Sequence, residues 1–385
     1  MIKTMRLFIV IFAIVLFGRC ENSNRVSLIL IDTSRNYPES DLRLSDVAEV
    51  KYIPLQYGKD SIIFANPGPY AATVYRDTIC LLTWKPFSLS QIIQYDMSGN
   101  PLSKIDKIGG GPGEYSHLIS YMLDTIRHVV YGWDDQSLKI VTYDFQEYCL
   151  KERSLNANYT QMANLNDNYI LGYNFLSLIE SDAPGEIIDT GCKTITFLNK
   201  EDFTETVYDF DYEKPDPNRR PAIIYRNLTH TKEGIYITND RSDTVYFLDK
   251  NLKLTPRIID ITPHSKDRMS AIIPTIETDR YLFLSNEYYL GNLPGSPDYY
   301  VYDKKEKQIF RLKKDKSLKN DYLLLANEYI AVNQFSLTQP HNYAASFGPP
   351  YHLHEEYENL PPELKVIADT LDDLDNPVLM LIKFK

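Results

Sequence analysis

One run of the sequence reads Lys107-Ile108-Gly109-Gly110-Gly111-Pro112-Gly113-Glu114-Tyr115 and separates two similar segments of the chain. Glycine reaches positive φ without steric cost and proline fixes φ, so this composition favours a tight connector over a strand or a helix. Before the run lies a strand-like segment, residues 92–96, and after it the same pattern returns at residues 138–144. The run therefore predicts a crossing from one β-sheet unit to the next.

The strand-and-turn unit recurs along nearly the whole chain. In each unit a first strand is followed by a short loop and a second strand that carries an aromatic residue near its end. These aromatic residues are separated by 48, 54, 50 and 55 positions, and they are Tyr95, Tyr143, Phe197, Phe247 and Tyr302. A period of about 50 residues in an all-β chain is typical of β-propeller blades. The 30 tyrosines also favour strands, because aromatic side chains suit pleated, half-buried surfaces.

The first strands of five units are predicted at residues 78–82, 129–134, 169–173, 234–240 and 281–285. A sixth is predicted at residues 328–332, and an insertion delays its partner to residues 377–384. Inside the insertion, apolar residues at 364, 367, 368 and 371 follow a helical period after prolines, which predicts one short helix within 361–372. We therefore expect an all-β, six-bladed β-propeller with four-stranded antiparallel blades, which occupies residues 46–385 as one domain.

The two ends of such a ring are expected to meet. Six repeats joined end to end leave two open sheet edges, and a blade assembled from both termini removes them. Residues 47–55 alternate as a strand does and stop at a proline and a leucine. We expect these residues to pair with strands of the C-terminal unit and so to close the ring.

The N-terminus has the features of an export signal. Lys3 and Arg6 precede an apolar run, residues 7–17, that is too short to span a bilayer comfortably. Cys20 then stands in a position that resembles the lipobox of bacterial lipoproteins, although Arg19 replaces the usual small residue. We predict a signal peptide at residues 1–19, a lipid on Cys20, and a tether with an edge strand over residues 20–45. Ordinary signal cleavage and an uncleaved anchor are the alternatives.

The run at 107–115, followed by Asp124 and by Val130-Tyr131-Gly132-Trp133-Asp134, resembles the NHL-type repeat of six-bladed propellers. More closely, the mature chain resembles the six-bladed β-propeller lipoproteins common in Bacteroidota, including Tyr52-Ile53-Pro54-Leu55 and Asp375-Asn376-Pro377-Val378-Leu379. This resemblance extends over nearly the whole chain. It implies a propeller fold and a location at the cell envelope, and it implies no particular activity.

Some NHL-type propellers are lyases that hold zinc in the central channel through histidines from several blades. In their repeat this histidine follows a proline, whereas Leu118-Ile119 stand at that place here and His117 lies two residues out of register. The resemblance therefore assigns no metal role to His117, and we predict no catalytic residue. An NHL-like lyase or hydrolase with a site at the channel mouth is the alternative function.

His352 and His354 are the metal-ligand candidates of the sequence. If residues 351–356 formed a strand, both imidazoles would lie on one face beside a carboxylate. No third ligand is specified, and His341 would join them only through the tertiary fold. Hydrogen bonds to the acidic neighbours are the simpler interpretation, so we expect no metal and no cofactor.

Three further patterns have both a functional and a structural interpretation. Cys80, Cys149 and Cys192 are spaced by 69 and 43 residues, which matches no disulfide framework or zinc motif and suits buried residues. Residues 304–319 carry eight basic side chains, which could bind anionic lipid headgroups or a polyanionic sugar or could simply be solvated. Residues 355–375 carry eight acidic side chains, which would bind calcium only if the fold brought them together. Five triplets begin at Asp60, Asp77, Asp124, Asp243 and Asp369. They resemble the Bacteroidota O-glycosylation motif, and they are also typical of a turn that enters a strand.

The formal net charge of -11 disfavours nucleic-acid binding, because an acidic surface repels phosphate backbones. We expect a lipid-anchored module at the cell envelope that binds a protein, glycan or peptide on one end of its ring, where loops vary without disturbing the blades. A convergent set of histidines or carboxylates near the axis would favour an enzyme instead. An exposed apolar patch on the ring would favour a structural subunit of an envelope complex.

We predict that the Cys20→Ser variant loses membrane association, because no later position offers as good a cleavage and acylation site. Cell fractionation and the intact mass of the purified protein measure this. A variant with the fractionation and mass of the parent protein would contradict lipidation.

Overall fold

Blades made of β-strands account for most of the chain that the structure, a computed structural model, describes. The described residues are 28–57, 71–84, 90–174, 178–180, 187–189, 194–208, 227–239, 242–263, 268–290, 293–294, 297–312, 318–319, 329–330 and 343–385. Their sheets form an all-β, six-bladed propeller, which confirms the predicted fold. Signal peptide, Cys20 and Cys192 lie outside the described residues.

The N-terminal segment contributes strands to three different blades. It contains β1 (Ile29–Ile31), β2 (Glu39–Ser40), α1 (Leu44–Val47) and β3 (Ala48–Pro54). β1 pairs in parallel with the outermost strand of the fourth blade, and β2 does the same in the fifth. The segment expected to be a tether and edge strand thus extends along the outer edges of two blades.

The first three blades each have four antiparallel strands that are paired in the order in which they occur in the chain. The first blade has β4 (Ala71–Tyr75), β5 (Thr78–Trp84), β6 (Ser90–Asp96) and β7 (Pro101–Ile105). The second has β8 (Leu118–Asp124), β9 (Val129–Asp134), β10 (Lys139–Asp144) and β11 (Cys149–Ser154). The third has β12 (Gln161–Asn164), β13 (Tyr169–Tyr173), β16 (Ile195–Asn199) and β17 (Glu205–Val207), with a separate hairpin of β14 (Leu178–Glu180) and β15 (Ile187–Asp189) before β16.

The fourth and fifth blades also have four antiparallel strands, to which β1 and β2 are added. The fourth has β18 (Leu228–His230), β19 (Gly234–Ile237), β20 (Thr244–Asp249) and β21 (Leu254–Asp260). The fifth has β22 (Arg268–Glu277), β23 (Tyr281–Leu290), β25 (Asp298–Asp303) and β26 (Gln308–Leu312), and β24 (Leu293–Pro294) pairs with β23.

The sixth blade joins the two ends of the chain. Its described strands lie in the order β29 (Tyr343–Gly348), β30 (Val378–Phe384) and β3. The antiparallel register from Ala48 opposite Phe384 to Pro54 opposite Val378 confirms that the termini close the ring.

The predicted pairing of residues 328–332 with residues 377–384 is wrong, although the described part of the segment is a strand. β30 pairs with β29 instead, and the described part of the predicted strand, β28 (Tyr329–Ile330), pairs with β27 (Leu318–Lys319). Both segments suit a strand by residue type, and only pairing in the folded sheet distinguishes them.

Three short helical segments lie between β29 and β30. They are α2 (Pro350–Glu355), a 3₁₀ turn (Tyr357–Asn359) and α3 (Pro362–Ala368). α3 is the predicted helix: prolines begin it, and it buries Leu364 and Ala368. The sequence pattern missed α2, whose six residues are too few for a helical period to be evident.

The aromatic residues that define the repeat lie on the third strand of each of the first five blades, and all are buried. The cluster around Tyr143 combines residues of the first blade, such as Leu82, with residues of the second, such as Val130. Blades therefore pack face to face through these side chains, and each buried aromatic contributes about 1.5–3 kcal/mol of transfer free energy.

An acidic or amide residue ends each of these third strands and explains the repeated Tyr-Asp pattern. The Asp96 carboxylate accepts hydrogen bonds from the backbone N–H groups of Ser98 at 2.8 Å and Asn100 at 2.9 Å. Asp249 makes the equivalent bonds to residues 251 and 253, both at 2.9 Å. The side chain thus satisfies the donors of the tight turn that follows.

The glycine-rich run connects β7 of the first blade to β8 of the second, as predicted. Glu114 accepts a hydrogen bond from the Gly111 N–H at 2.7 Å, and Gly109 N–H donates to the Tyr115 carbonyl at 2.9 Å. Gly113 has a φ of +72°, and a Cβ at this position would lie 2.8 Å from the Cβ of Cys149. A side chain at residue 113 would therefore both strain the backbone and displace the second blade.

We predict that deleting residues 377–385 abolishes cooperative unfolding, because the deletion removes the strand that lies between β29 and β3. Thermal unfolding followed by circular dichroism measures this. Deleting Lys385 alone removes only its bonds to Val47 and Ser45 and should lower the melting temperature slightly. A long truncation that melts like the full chain would place the closure elsewhere.

Candidate functional site

A cavity of about 860 Å³ opens at one mouth of the ring. Its lining comes from the turns that join the first and second strands of blades one to four, within residues 74–76, 123–126, 164–168 and 230–232. Lys200 and Lys250, which follow the third strands of blades three and four, complete the wall. The volume lies in the range of ligand pockets, about 300–1,000 Å³.

Polar side chains within the turns hold the rim of this cavity in place. Asp124 accepts hydrogen bonds from the next backbone N–H groups, those of residues 126 and 127, at 3.0 and 2.9 Å. Asn166 accepts from the N–H groups of residues 168 and 169, both at 2.9 Å. Thr231 accepts from the Gly234 N–H at 3.1 Å. These backbone N–H groups are therefore hydrogen-bonded within their own turns, and the rim presents side chains to the cavity.

A buried ion pair joins the second and third blades at the cavity wall. Lys200 Nζ lies 2.8 Å from Asp124 Oδ2, and the two side chains are 1% and 3% exposed. Burial lowers the pKa of Lys200, although the hydrogen bond to Asp124 opposes this. Burial also opposes ionisation of Asp124, yet the bonds from Lys200 and from the turn hold its pKa below the ordinary value. Each partner thus favours the charged form of the other, which offsets the cost of burying both groups.

Arg127 extends this pair across the blade interface. Its guanidinium lies 3.4 Å from Asp124 Oδ2 and 2.8 Å from Glu201 Oε1, and it also donates to the Asp167 carbonyl. Four charged side chains and one carbonyl thus fix the position of the second blade relative to the third.

Positive side chains outnumber negative ones on the rim of the first cavity. The lining contains four lysine or arginine side chains and two aspartates, in a chain whose net charge is -11. Lys200 is paired with Asp124, whereas Arg76, Lys232 and Lys250 form no ion pair with other described residues. The Arg76 guanidinium lies 5.1 Å from the centre of the Tyr75 ring, a distance typical of cation–π contact.

A second cavity of about 350 Å³ adjoins the first at the same mouth. Both cavities are lined by Thr231 and Lys232, and the second continues past the turn of the fifth blade at residues 277–279 to Phe384 and Lys385. The two cavities together form a groove along the inner turns of blades one to five.

The chain belongs to the DUF4934 family. The model of this family, a domain of unknown function, matches residues 28–383. None of the curated proteins searched matches the chain.

Two solved structures show the same fold as this DUF4934 chain. A Bacteroides fragilis protein designated as exported has 16% sequence identity, covers 93% of this chain and 100% of its own length, and has a TM-score of 0.64. A member of the DUF4221 family from Bacteroides vulgatus has 10% identity, covers 88% of this chain and 97% of its own, and has a TM-score of 0.50. At these identities the likeness concerns the fold alone. In the part of this DUF4934 chain that the structure describes, no helix is long and apolar enough to cross a bilayer.

His352 and His354 lie on α2, so the expected strand is wrong. Residues two apart on a helix point in different directions, and their partners differ accordingly. His352 Nδ1 contacts Glu355 at 3.2 Å, whereas His354 contacts the Asp373 carboxylate at 2.5 Å and the Ala368 carbonyl at 3.0 Å. The carboxylate and the carbonyl raise the pKa of His354.

These histidines are also remote from the cavities. β30 runs from Val378 to Phe384, and Phe384 lines the second cavity, so the segment before Val378 lies at the opposite end of the ring. Among the described residues, no group of three or more His, Cys, Asp or Glu side chains has an arrangement that would hold a metal ion. His117 contacts Asp135 at 2.8 Å, and His341 lies outside the described residues.

The predicted cysteines, the triplet at Asp124 and the basic segment lie in different environments. Cys80 is buried and burial raises its pKa to about 12, whereas Cys149 is exposed, contrary to expectation. The buried Asp124 caps its own turn, which supports the structural interpretation of that triplet. Within the basic segment, Lys304 and Arg311 are paired with Glu277 and Asp298, and residues 313–317 lie outside the described part.

Sequence reasoning missed the cavity residues Arg76, Lys200, Lys232 and Lys250. Each follows a strand in a different hairpin, separated along the chain by many residues. The available signal was weak: a basic residue comes directly after the strand-ending position at Asn199 and at Asp249. Only the ring brings these positions to one mouth.

We predict that Lys200→Met destabilises the protein by about 3 kcal/mol, because it leaves the buried Asp124 carboxylate without its nearest partner. Adding Asp124→Asn, which keeps an acceptor for the turn, should recover much of this loss. Urea unfolding of the single and double variants measures both effects, with exposed Lys253→Met as a control within about 0.5 kcal/mol of the parent. Losses that simply add in the double variant would show that the two residues do not interact.

Proposed function

We propose that this protein is an exported, lipid-anchored propeller that binds a ligand at the mouth of its ring. Export is supported by the N-terminal leader and by the fold shared with a Bacteroides protein designated as exported. Anchoring is supported by the position of Cys20 after the leader. The ligand is a protein segment, glycan or peptide of the envelope, and nucleic acid does not suit the acidic chain.

One observation carries the binding function, namely the cavity of about 860 Å³ to which four successive blades contribute. Its turns are held by their own side-chain hydrogen bonds, so the site is formed before a ligand arrives. A preformed site spends little free energy on ordering its loops when it binds. Turn residues can also differ in identity without disturbing the strands behind them.

A second candidate function, an enzyme of the lyase or hydrolase class, is favoured by Lys200. A buried lysine with a lowered pKa beside a carboxylate is a common arrangement in active sites. Against this role, the Nζ atom already donates to Asp124, and its side chain is 1% exposed. The Lys200–Asp124 pair also holds two blades together, so we rank the enzyme as the second candidate function.

We predict that Thr125→Trp abolishes ligand binding, because the exposed Thr125 side chain lines the cavity and an indole would fill it. The purified mature chain is incubated with fractionated envelope glycans and peptides, and retained molecules are identified by mass spectrometry. Thr206→Trp, on the outer strand β17 of the third blade, is the matched control and should retain the same molecules.

Equal retention by the parent protein and by Thr125→Trp would contradict binding in this cavity. Conversion of a retained molecule by the parent, which stops in the Lys200→Met variant, would favour the enzyme.

A further inference from the structure

We propose that the ligand of the first cavity is an acidic glycan, a sugar chain that carries at least two carboxylate or sulfate groups. This inference rests on the proposed binding function and identifies its ligand. Three observations support it: the charge of the rim, the position of that charge around the ring, and the neutral polar groups between the charges.

The rim of the first cavity has positive charge that no ion pair with another described residue neutralises. Arg76, Lys232 and Lys250 lack ion-pair partners among the described residues, while the buried Asp124 is already paired with Lys200. Asp167 is the one other acidic residue that lines the first cavity within the described chain, whereas Glu233, Glu277 and Asp279 line the second. Elsewhere the chain is acidic, with a net charge of -11. A cationic mouth on an acidic protein concentrates anions at that mouth.

The cations lie on opposite sides of the mouth. Arg76 belongs to the first blade, whereas Lys232 and Lys250 belong to the fourth, three blades further round a six-bladed ring. One small anion would not reach both sides. The second cavity shares Lys232 but is also lined by Glu233, Glu277 and Asp279, so the anionic ligand is assigned to the first cavity alone. The arrangement suits an elongated ligand with repeated negative charges.

Neutral groups between the cations suit sugar hydroxyls. Asn168 and Thr125 are exposed at the rim, and an amide or hydroxyl both donates and accepts hydrogen bonds as a sugar hydroxyl does. The Tyr75 hydroxyl donates to the Thr125 carbonyl at 3.2 Å, which fixes the ring at the cavity wall.

An extended acidic peptide fits the rim less well. Peptides commonly bind by adding a strand to an exposed sheet edge, where backbone groups are unpaired. Here the rim consists of turns, and backbone N–H groups of these turns already donate hydrogen bonds to Asp124, Asn166 and Thr231. The recognition groups that remain are side chains, which suit charges and hydroxyls.

Calorimetry with the mature chain tests this proposal with four probes: oligogalacturonate, a chondroitin sulfate oligosaccharide, neutral malto-oligosaccharide of the same length, and oligoglutamate. We expect one or both acidic glycans to bind, with an affinity that falls as salt is raised, and the neutral sugar to bind at least about tenfold more weakly. The carboxylated and sulfated arms distinguish which acidic group the site prefers.

The variants Arg76→Ala and Lys250→Ala should each weaken acidic-glycan binding by about tenfold. Lys253→Ala is the matched control, because Lys253 lies in the same hairpin as Lys250 but outside the lining, and it should bind like the parent. Thermal melting confirms that the variants remain folded.

Equal binding of the neutral sugar, tighter binding of oligoglutamate, or unchanged affinity in both rim variants would overturn the acidic-glycan assignment. If one of these probes nevertheless binds and Thr125→Trp abolishes that binding, the proposed binding function stands without this inference. If no probe and no envelope fraction binds, both proposals fail.

Discussion

The hydrogen-bonded pairing of β3 with β30 is the constraint on which the ring depends. A propeller chain has a first and a last sheet edge, and unpaired edges leave backbone donors and acceptors without partners. Here the seven-residue strand at 48–54 lies against the C-terminal strand in continuous register, from Ala48 opposite Phe384 to Pro54 opposite Val378. Apolar residues from both ends share one cluster, in which Val47 and Ala48 lie with Met380 and Phe384. Closure therefore combines backbone pairing with burial.

Closure also determines where the polar groups of the interior meet. Neighbouring blades contact through polar side chains with partners across the interface: Lys200 of the third blade pairs with Asp124 of the second, and Gln161 of the third accepts a hydrogen bond from the Asn227 backbone N–H at 3.2 Å. Thr229 of the fourth blade donates to the Pro274 carbonyl of the fifth at 2.6 Å. These bonds satisfy groups that burial would otherwise penalise by about 1–3 kcal/mol each. They also set the relative positions of the turns that form the mouth, so the candidate site depends on the closed ring.

The N-terminal segment has a second effect on the sheet edges. β1 and β2 pair with the outer strands of blades four and five, which covers two of the edges that a propeller otherwise leaves open. These are also the blades whose inner turns carry Lys232 and line the second cavity.

The sequence by itself determined the repeat, because a buried aromatic and a turn-capping acid must recur wherever a third strand ends, as at Tyr95 and Asp96. It also determined the connector, since glycine at residue 113 has no Cβ to clash with Cys149 and adopts the φ of +72° without strain. The tertiary structure alone decided which of two strand-like segments pairs with β30, that residues 350–355 are helical, and which charged residues share a cavity. Local sequence patterns reflect the interactions of each residue with its neighbours in the chain. The meeting of Arg76, Lys200 and Lys250 at one mouth depends on how six blades pack around an axis, and no local pattern encodes that.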